Sequence, residues 1–495
     1  MADNSVAYAC NTVYLPASVI LSGSEVWHNT KNTDLYRYRV QTRENNMQKY
    51  VELMNELEAL IEGKSYQEGD RLPSIRTLAA QFCVSKSTAI RALSELEKRH
   101  LIYSVPKSGY YVVKKTNKQL SRRQTVIDFA ASAPDPDVFP YIDFQHCINK
   151  AIDTYKNDLF IYGTPKGLPS LIEVIQKELA NTQVFTNQDN IFITSGVQQA
   201  LALLASMPFP NGKRKILIEQ PSYHLLIKYL EVHGLPAIGI ERTAQGIDIQ
   251  QLERIFQTED IKFFYTMPRF HNPLGTSYTE QEKKSIVRLA EKYDVFIAED
   301  DYLGDLEGNK KADPLFAYDV SSRVIYLKSF SKVIFPGLRV GAAVLPDSLA
   351  KVFNQYKQLL DIDSSMLSQA ALEIYLKSGM FEKHKQKIRS SYEKRSSLLN
   401  ALLQEVSMAA GHAAEFRPAE QPCIHAHLVL DRKLSASRLI KSMKKRNILL
   451  EPIVPHYLSS FEKRNLLKIN TSNVKEEDIR RGIEQLKQVI ETAFY

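Results

Sequence analysis

LKSFSKVIFPGLRVG, residues 327–341, puts Ser329, Ser331 and Lys332 within four positions, and Arg339 follows behind a Pro-Gly pair. The stretch leaves an apolar, β-branched run, RVIYLKS (323–329), which reads as a strand. A lysine placed where a strand ends, with hydroxyls and a second cation beside it, suits an amine that reacts next to a bound anion. The neighbouring sequence has the matching rhythm. NIFITSG (190–196), KILIEQ (215–220), LPAIGI (235–240), KFFYTMP (262–268) and DVFIAED (294–300) are short apolar strands, several followed by helical patterns. Such alternation predicts a parallel sheet covered on both faces. The last 95 or so residues change character: HAHLVL, a helix from Ser435, ILLEPI, LLKIN and a helix from Val474 suggest a small α+β lobe.

The chain has 495 residues, too many for one core, and its net charge of +8 is local. Residues 75–123 hold eleven Lys/Arg against two acids, so the remainder is close to neutral. A basic block this confined points to a polyanionic partner for one module. No apolar run reaches the ~18–20 residues that span a bilayer. The first residues lack a basic segment followed by an apolar one, and a secretory signal is not expected. The four scattered cysteines, with His412 and His425, form neither a metal-binding spacing nor a disulfide framework, which fits a cytoplasmic chain.

The basic block belongs to a pattern of its own. Met47, Tyr50, Val51, Met54, Leu57, Leu60 and Ile61 share one helical face. Ser74 caps a second helix, SIRTLAAQF, and a tight turn, CVS, leads to a third, KSTAIRALSELEKRH. Ile90, Leu93 and Leu96 of the third helix are expected to face inward, and Cys83 to pack in the turn. LIYSV and YYVV, joined by PKSG, read as a hairpin wing. The pattern predicts a winged helix-turn-helix over 47–113. An arm of open role lies at 1–46, a polar linker at 114–126 and the α/β domain at 127–495, its large lobe at about 140–400 and its small lobe at about 401–495. The reading helix would meet double-stranded DNA with Ser85, Lys86, Ser87, Thr88 and Arg91. Arg71, Ser74 and Arg76 would hold the backbone, with Lys107 and Gly109 at the wing tip. GDRLPSIRTLAAQFCVSKSTAIRALSELEKRHLI (69–102) resembles the winged helix of GntR-type transcription regulators.

The large domain offers what a pyridoxal phosphate site needs. In TSGVQQALALL (194–204) the amides of Gly196, Val197 and Gln198 open a helix and suit a phosphate. Tyr223 in EQPSYH would stack on the ring, and Asn272 in HNPLG would reach the phenolic oxygen together with Tyr302. Asp300 in IAEDDY would pair with the ring nitrogen. Ser329, Ser331 and Arg339 would complete the phosphate cup, and Lys332 would form the Schiff base. These motifs resemble fold-type I aminotransferases of the aspartate aminotransferase superfamily. The resemblance implies that Tyr162, in YGTPKG, reaches the partner subunit's phosphate, and hence a homodimer with shared sites. A GntR-like winged helix joined to such a domain resembles the MocR-type regulators, and IDFAASAPDPDVFP (127–140) fits the lead-in to their second domain. One departure matters. Lys468 in LLKIN stands where an arginine normally grips a substrate carboxylate, and a lysine cannot reproduce that bidentate fork. Arg269 and His271 are candidate replacements. The resemblance implies a regulator that senses a small amine or amino acid, or pyridoxal phosphate itself. The alternative is a working aminotransferase with an appended DNA-binding module.

Overall fold

The computed structural model describes residues 49–494 except 62, 64, 68, 100, 106–107, 114–125, 136–137, 310–311 and 420. The expected arm, most of the linker and Lys107 lie outside the described residues. The chain divides into two compact units at Ser121/Arg122.

In the first unit α1 (49–61) is followed by α2 (Ile75–Gln81) and α3 (Lys86–Lys98). Both later helices begin at serines whose side chains accept from the backbone three residues on, Ser74 from Thr77 and Ser85 from Thr88. β1 (Ile102–Val105) and β2 (Gly109–Val112) pair antiparallel as the wing. Leu57, Leu78, Leu93, Leu96, Ile102 and Val112 form its core. Two expectations fail here. Ile90 is 47% exposed, because Ala89, Ala92, Leu93 and Leu96 already supply the buried face of α3. Cys83 is exposed with φ +49°, since the turn holds its backbone out of the core.

The second unit begins with β3 (Ile127–Asp128), α4 (Tyr141–Tyr155) and α5 (Pro169–Ala180). Alternation then sets in: β4 (Ile191–Thr194), α6 (Val197–Ser206), β5 (Lys215–Gln220), α7 (His224–Val232), β6 (Ala237–Glu241), α8 (Ile249–Thr258), β7 (Ile261–Thr266), α9 (Glu280–Lys292), β8 (Phe296–Asp300), β9 (Val324–Ser329) and β10 (Gly341–Val344). These strands form one seven-stranded sheet in the order β4-β10-β9-β8-β7-β5-β6. Every residue of β7, β8 and β9 is buried. Successive side chains serve opposite faces: Phe296 and Ala298 join the core that holds α6 and α7, and Ile297 joins the core that holds α8 and α9. That two-sided burial explains why these strands read as continuous apolar runs.

The sheet is mixed rather than parallel. β10 runs antiparallel to both β4 and β9. A parallel return needs a crossover of a dozen or more residues, usually helical. Only residues 330–340 separate β9 from β10, and their one regular piece is the turn Pro336–Leu338, so the chain folds straight back.

The remaining elements are α10 (Asp347–Leu360), α11 (Met366–Lys377), the 31-residue α12 (Met380–Ala410), β11 (Ala414–Glu415), β12 (His425–Leu430), α13 (Ala436–Lys445), β13 (Ile448–Leu449), β14 (Leu466–Asn470) and α14 (Glu476–Phe494). β11, β12 and β14 make an antiparallel sheet. β13 pairs in parallel with β3, so the lead-in of the domain, Ile127 and Phe129, packs in the small lobe's core. α12 runs through the boundary expected near residue 400. Among the described residues no helix is long and apolar enough to cross a membrane.

One glycine ties the lobes together at the site. Gly275, φ +78°, ends the turn that carries Asn272, and a Cβ there would lie 2.1 Å from the His425 carbonyl oxygen of β12. Gly275→Ala should therefore lose about 2–3 kcal/mol of stability, read as a lowered urea midpoint with an unchanged slope.

Candidate cofactor cavity and nucleic-acid interface

On the winged helix, the surface left for a polyanion is narrower than the sequence suggests. Ser85 Oγ caps Thr88 N at 3.1 Å and lies 2.7 Å from both the Ser87 and Thr88 hydroxyls. Thr88 is 6% exposed, which corrects its expected place among the DNA contacts; its position faces the core so that its hydroxyl can close the cap. Ser74 is likewise engaged with Thr77. Arg71, Arg76, Lys86, Ser87 and Arg91 stay exposed. Arg91 lies over the Tyr50 ring at 4.2 Å, which anchors α3 on α1. Arg71 bridges to Tyr111 and reaches Gly109, joining the base of α2 to the wing.

In the large unit, β4, β5, β7, β8 and β9 all end on the same side, and the residues that follow them line a cavity of ≈ 440 Å³. Gly196, Val197, Gln198, Tyr223, Asn272, Asp300, Tyr302, Ser329, Ser331, Lys332 and Arg339 all reach it. Gly196, φ +88°, is the N-cap of α6, and a Cβ there would lie 3.1 Å from Arg339 Nη2. Arg339 adopts φ +54° and donates to the Ser195 carbonyl at 2.8 Å. The opened helix N-terminus and a guanidinium thus meet at one point.

Asp300 is 5% exposed. Tyr265 donates to its Oδ2 at 2.9 Å, while Oδ1 has no partner. Burial pushes its carboxyl up to about 7, against the Tyr265 bond. Asn272 Oδ1 is also buried without a partner. Burial, and then the charge of Asp300, pushes the Tyr223 phenol up to about 12. Lys332 donates to the carbonyl and hydroxyl of Ser132. Burial, followed by the nearby Lys468 cation, lowers its amine to about 8, while Glu451 opposes. Tyr302 departs from expectation in one respect: its hydroxyl donates to the Phe270 carbonyl at 2.7 Å. Tyr162, 79% exposed, stands outside the cavity of its own chain.

The aminotransferase class I and II family matches residues 124–486, and the bacterial regulatory gntR family matches residues 49–112. The HTH-type transcriptional regulator YcxD of Bacillus subtilis is 66% identical over 89% of this chain and 99% of its own length. The chain belongs to the MocR-type family, a gntR winged helix joined to a class I and II aminotransferase domain. Aromatic-amino-acid aminotransferase 1 of Thermococcus litoralis is 28% identical over 75% of this chain and 89% of its own. The kynurenine aminotransferase structure from Pyrococcus horikoshii, in complex with PMP, matches with a TM-score of 0.68 at 27% identity, covering 75% and 92% of the two chains.

The expected effector contacts of this MocR-type chain are not gathered in one place. Lys468 lines the cavity, but its ammonium donates to Glu451 at 2.5 Å and lies 3.3 Å from His456 Nε2. Arg269 and His271 do not line the cavity, which corrects their expected role. Arg269 makes a fork to Asp301 and donates to the Ala312 carbonyl at 2.8 Å. His271 Nε2 lies 3.2 Å from Glu219, a buried carboxylate that accepts from Thr266, Met267 N, Tyr278 and Arg242. Both side chains are enclosed: Arg269 neutralises Asp301, while burial lowers the His271 imidazole, which sits beside Glu219 without hydrogen-bonding to it. Sequence reading missed Ser132, His224, Met267 and Glu451 in the wall. Ser132 and Glu451 lie in stretches read only as a lead-in and a strand, with nothing local to set them apart.

If Arg269 is structural, Arg269→Ala should cost about 3–5 kcal/mol, because Asp301 is left buried and unpaired. Denaturant unfolding checks this; an unchanged midpoint with weakened ligand binding would reverse the assignment.

Proposed function

We propose that this protein regulates transcription, with the cavity around Lys332 as its sensor. The winged helix binds double-stranded DNA, and the second unit holds pyridoxal phosphate. The observation that carries this reading is the arrangement of the cavity: every cofactor contact expected from this chain lines it, whereas the one cation available for a substrate carboxylate is tied to Glu451. The orphaned Oδ1 of Asp300 and the cradle at Gly196 fit the cofactor's ring N–H and its phosphate. Asp300 would face the ring nitrogen, Tyr223 the ring, and Gly196, Val197, Gln198, Ser329, Ser331 and Arg339 the phosphate. When bound, pyridoxal phosphate supplies an aldehyde carbon that condenses reversibly with primary amines, so Lys332 and a small amine are rivals for it.

Lys332 suits this role because burial keeps its amine partly unprotonated near neutral pH. Asp300, its carboxyl raised by burial, is stabilised as an anion by any N–H cation placed against it. Tyr162, exposed on its own subunit, would reach the site of a second copy, which makes the sensor a homodimer with shared sites. The protein acts in the cytoplasm, where its DNA is. Loss or gain of the effector shifts the balance between two dimer states by the difference in binding energy, typically ~1–3 kcal/mol. The second reading, a working aminotransferase, is favoured by the completeness of the same cavity.

Two measurements separate these readings. DNA titrations of the cofactor-loaded protein, with and without small amines, should shift in affinity, and the shift should vanish in Lys332→Ala. Affinity indifferent to amines and to the cofactor itself, with sustained keto-acid production, would establish the enzyme instead. The rate at which borohydride traps pyridoxal phosphate on the protein should rise with pH and level off above about 8, the value to which burial lowers Lys332. The nucleophile is the unprotonated amine, so the rise runs upward in pH, and a midpoint near that of an exposed lysine would refute the buried environment.

A further inference from the structure

Lys468 and Glu451 are the small lobe's charged contributions to the cavity wall. Among the described lining residues the cations are Lys332, Arg339 and Lys468. Lys332 is the attachment point and Arg339 belongs with the helix N-terminus, so Lys468 alone remains for an effector's carboxylate. It is not free. Its ammonium donates to Glu451 Oε2 and lies 3.3 Å from His456 Nε2. His456 is itself held in place by its Nδ1, which lies 2.7 Å from the Ser222 carbonyl and donates to it. His224, grouped with Glu451 and His456, is held neutral by burial and then by His456, its imidazole lowered to about 4. Burial alone would raise the Glu451 carboxyl, but the His456 bond and Lys468 hold it at about 2. Glu451 is therefore an anion across the working range. Its side chain is 25% exposed and lines the cavity, and among the described residues the partners it has are on Oε2, so Oε1 is the oxygen left for a ligand.

We propose that Glu451 determines the effector class: the site takes a primary amine whose far end donates hydrogen bonds, and it discriminates against amines carrying a carboxylate. This rests on the cofactor reading above. An incoming carboxylate would meet a lysine already neutralised and a second carboxylate beside it, which is a repulsive element. A far-end hydroxyl or ammonium would instead meet the free oxygen of Glu451, a charge-assisted acceptor.

The test titrates cofactor-loaded protein with ethanolamine, ethylenediamine, glycine and alanine, following the visible absorbance and the thermal midpoint. Ethanolamine and ethylenediamine should half-saturate at concentrations about tenfold or more below those for glycine and alanine, the worth of one hydrogen bond to a charged group. Glu451→Gln frees Lys468 and should reverse the order. Glu451→Asp keeps the charge and should keep the native order, a result that general damage to the wall would not give. Glycine or alanine binding as tightly as the two donors in the native protein, or an unaltered order in Glu451→Gln, would overturn the proposal. A protein with no visible band for borohydride to bleach would instead overturn the cofactor reading, and this inference with it.

Discussion

An unpaired carboxylate oxygen in a protein interior costs about 1–3 kcal/mol, and Asp300 keeps one at the end of the central strand β8. Tyr265 satisfies only the other oxygen. In the same cavity, the half-buried Lys332 donates to a carbonyl and a hydroxyl, and none of its hydrogen bonds among the described residues goes to a carboxylate. The fold thus carries an acid and an amine, each shifted toward its neutral form by burial and not bonded to one another, at the mouth of the sheet. The cost is bearable because β7, β8 and β9 are buried on both faces and anchor three separate apolar cores. Such strain is kept at ligand sites, where the ligand supplies the missing partners.

The same region shows what a satisfied buried charge looks like. Asp301, next in sequence to Asp300, receives Arg269 and the Tyr326 hydroxyl. Glu219 gathers Arg242, Thr266, Tyr278 and a backbone amide. These acids have no capacity left for a ligand. They fix the loops after β5 and β7, from which Tyr223 and Asn272 project. Positioning and ligand binding are divided between neighbouring residues, and pairing alone tells the two groups apart.

That division limits what the sequence discloses. Apolar strands, helix caps and the residues at strand ends are local signals, so Gly196, Asp300 and Lys332 could be placed before any coordinates. Pairing over distance is not local. Nothing near Arg269 reveals that Asp301 consumes its charge, nothing near His271 that it is enclosed beside Glu219, and seventeen residues separate Lys468 from Glu451. The reversal of β10 escaped because GAAV is short and the meaning of its connection lies in a missing helix. On α3 the three-residue apolar spacing suggested Ile90 as core, but two alanines fill that face and the exposed isoleucine is left over.

The pairing of Lys468 also bears on why a sensor would keep an aminotransferase cavity. Turnover needs interactions that strengthen in the transition state, and a carboxylate clamp serves by holding the substrate in reacting geometry. Sensing needs only that two occupancies differ in free energy. A wall whose cation is already neutralised gives up the clamp but keeps a polarised, selective surface. On the proposed reading, exchange at Lys332 would remain reversible, and its position of equilibrium would report the amine without consuming it. Such a cavity needs an intact cofactor seat and an altered wall, and these are the two features the chain combines.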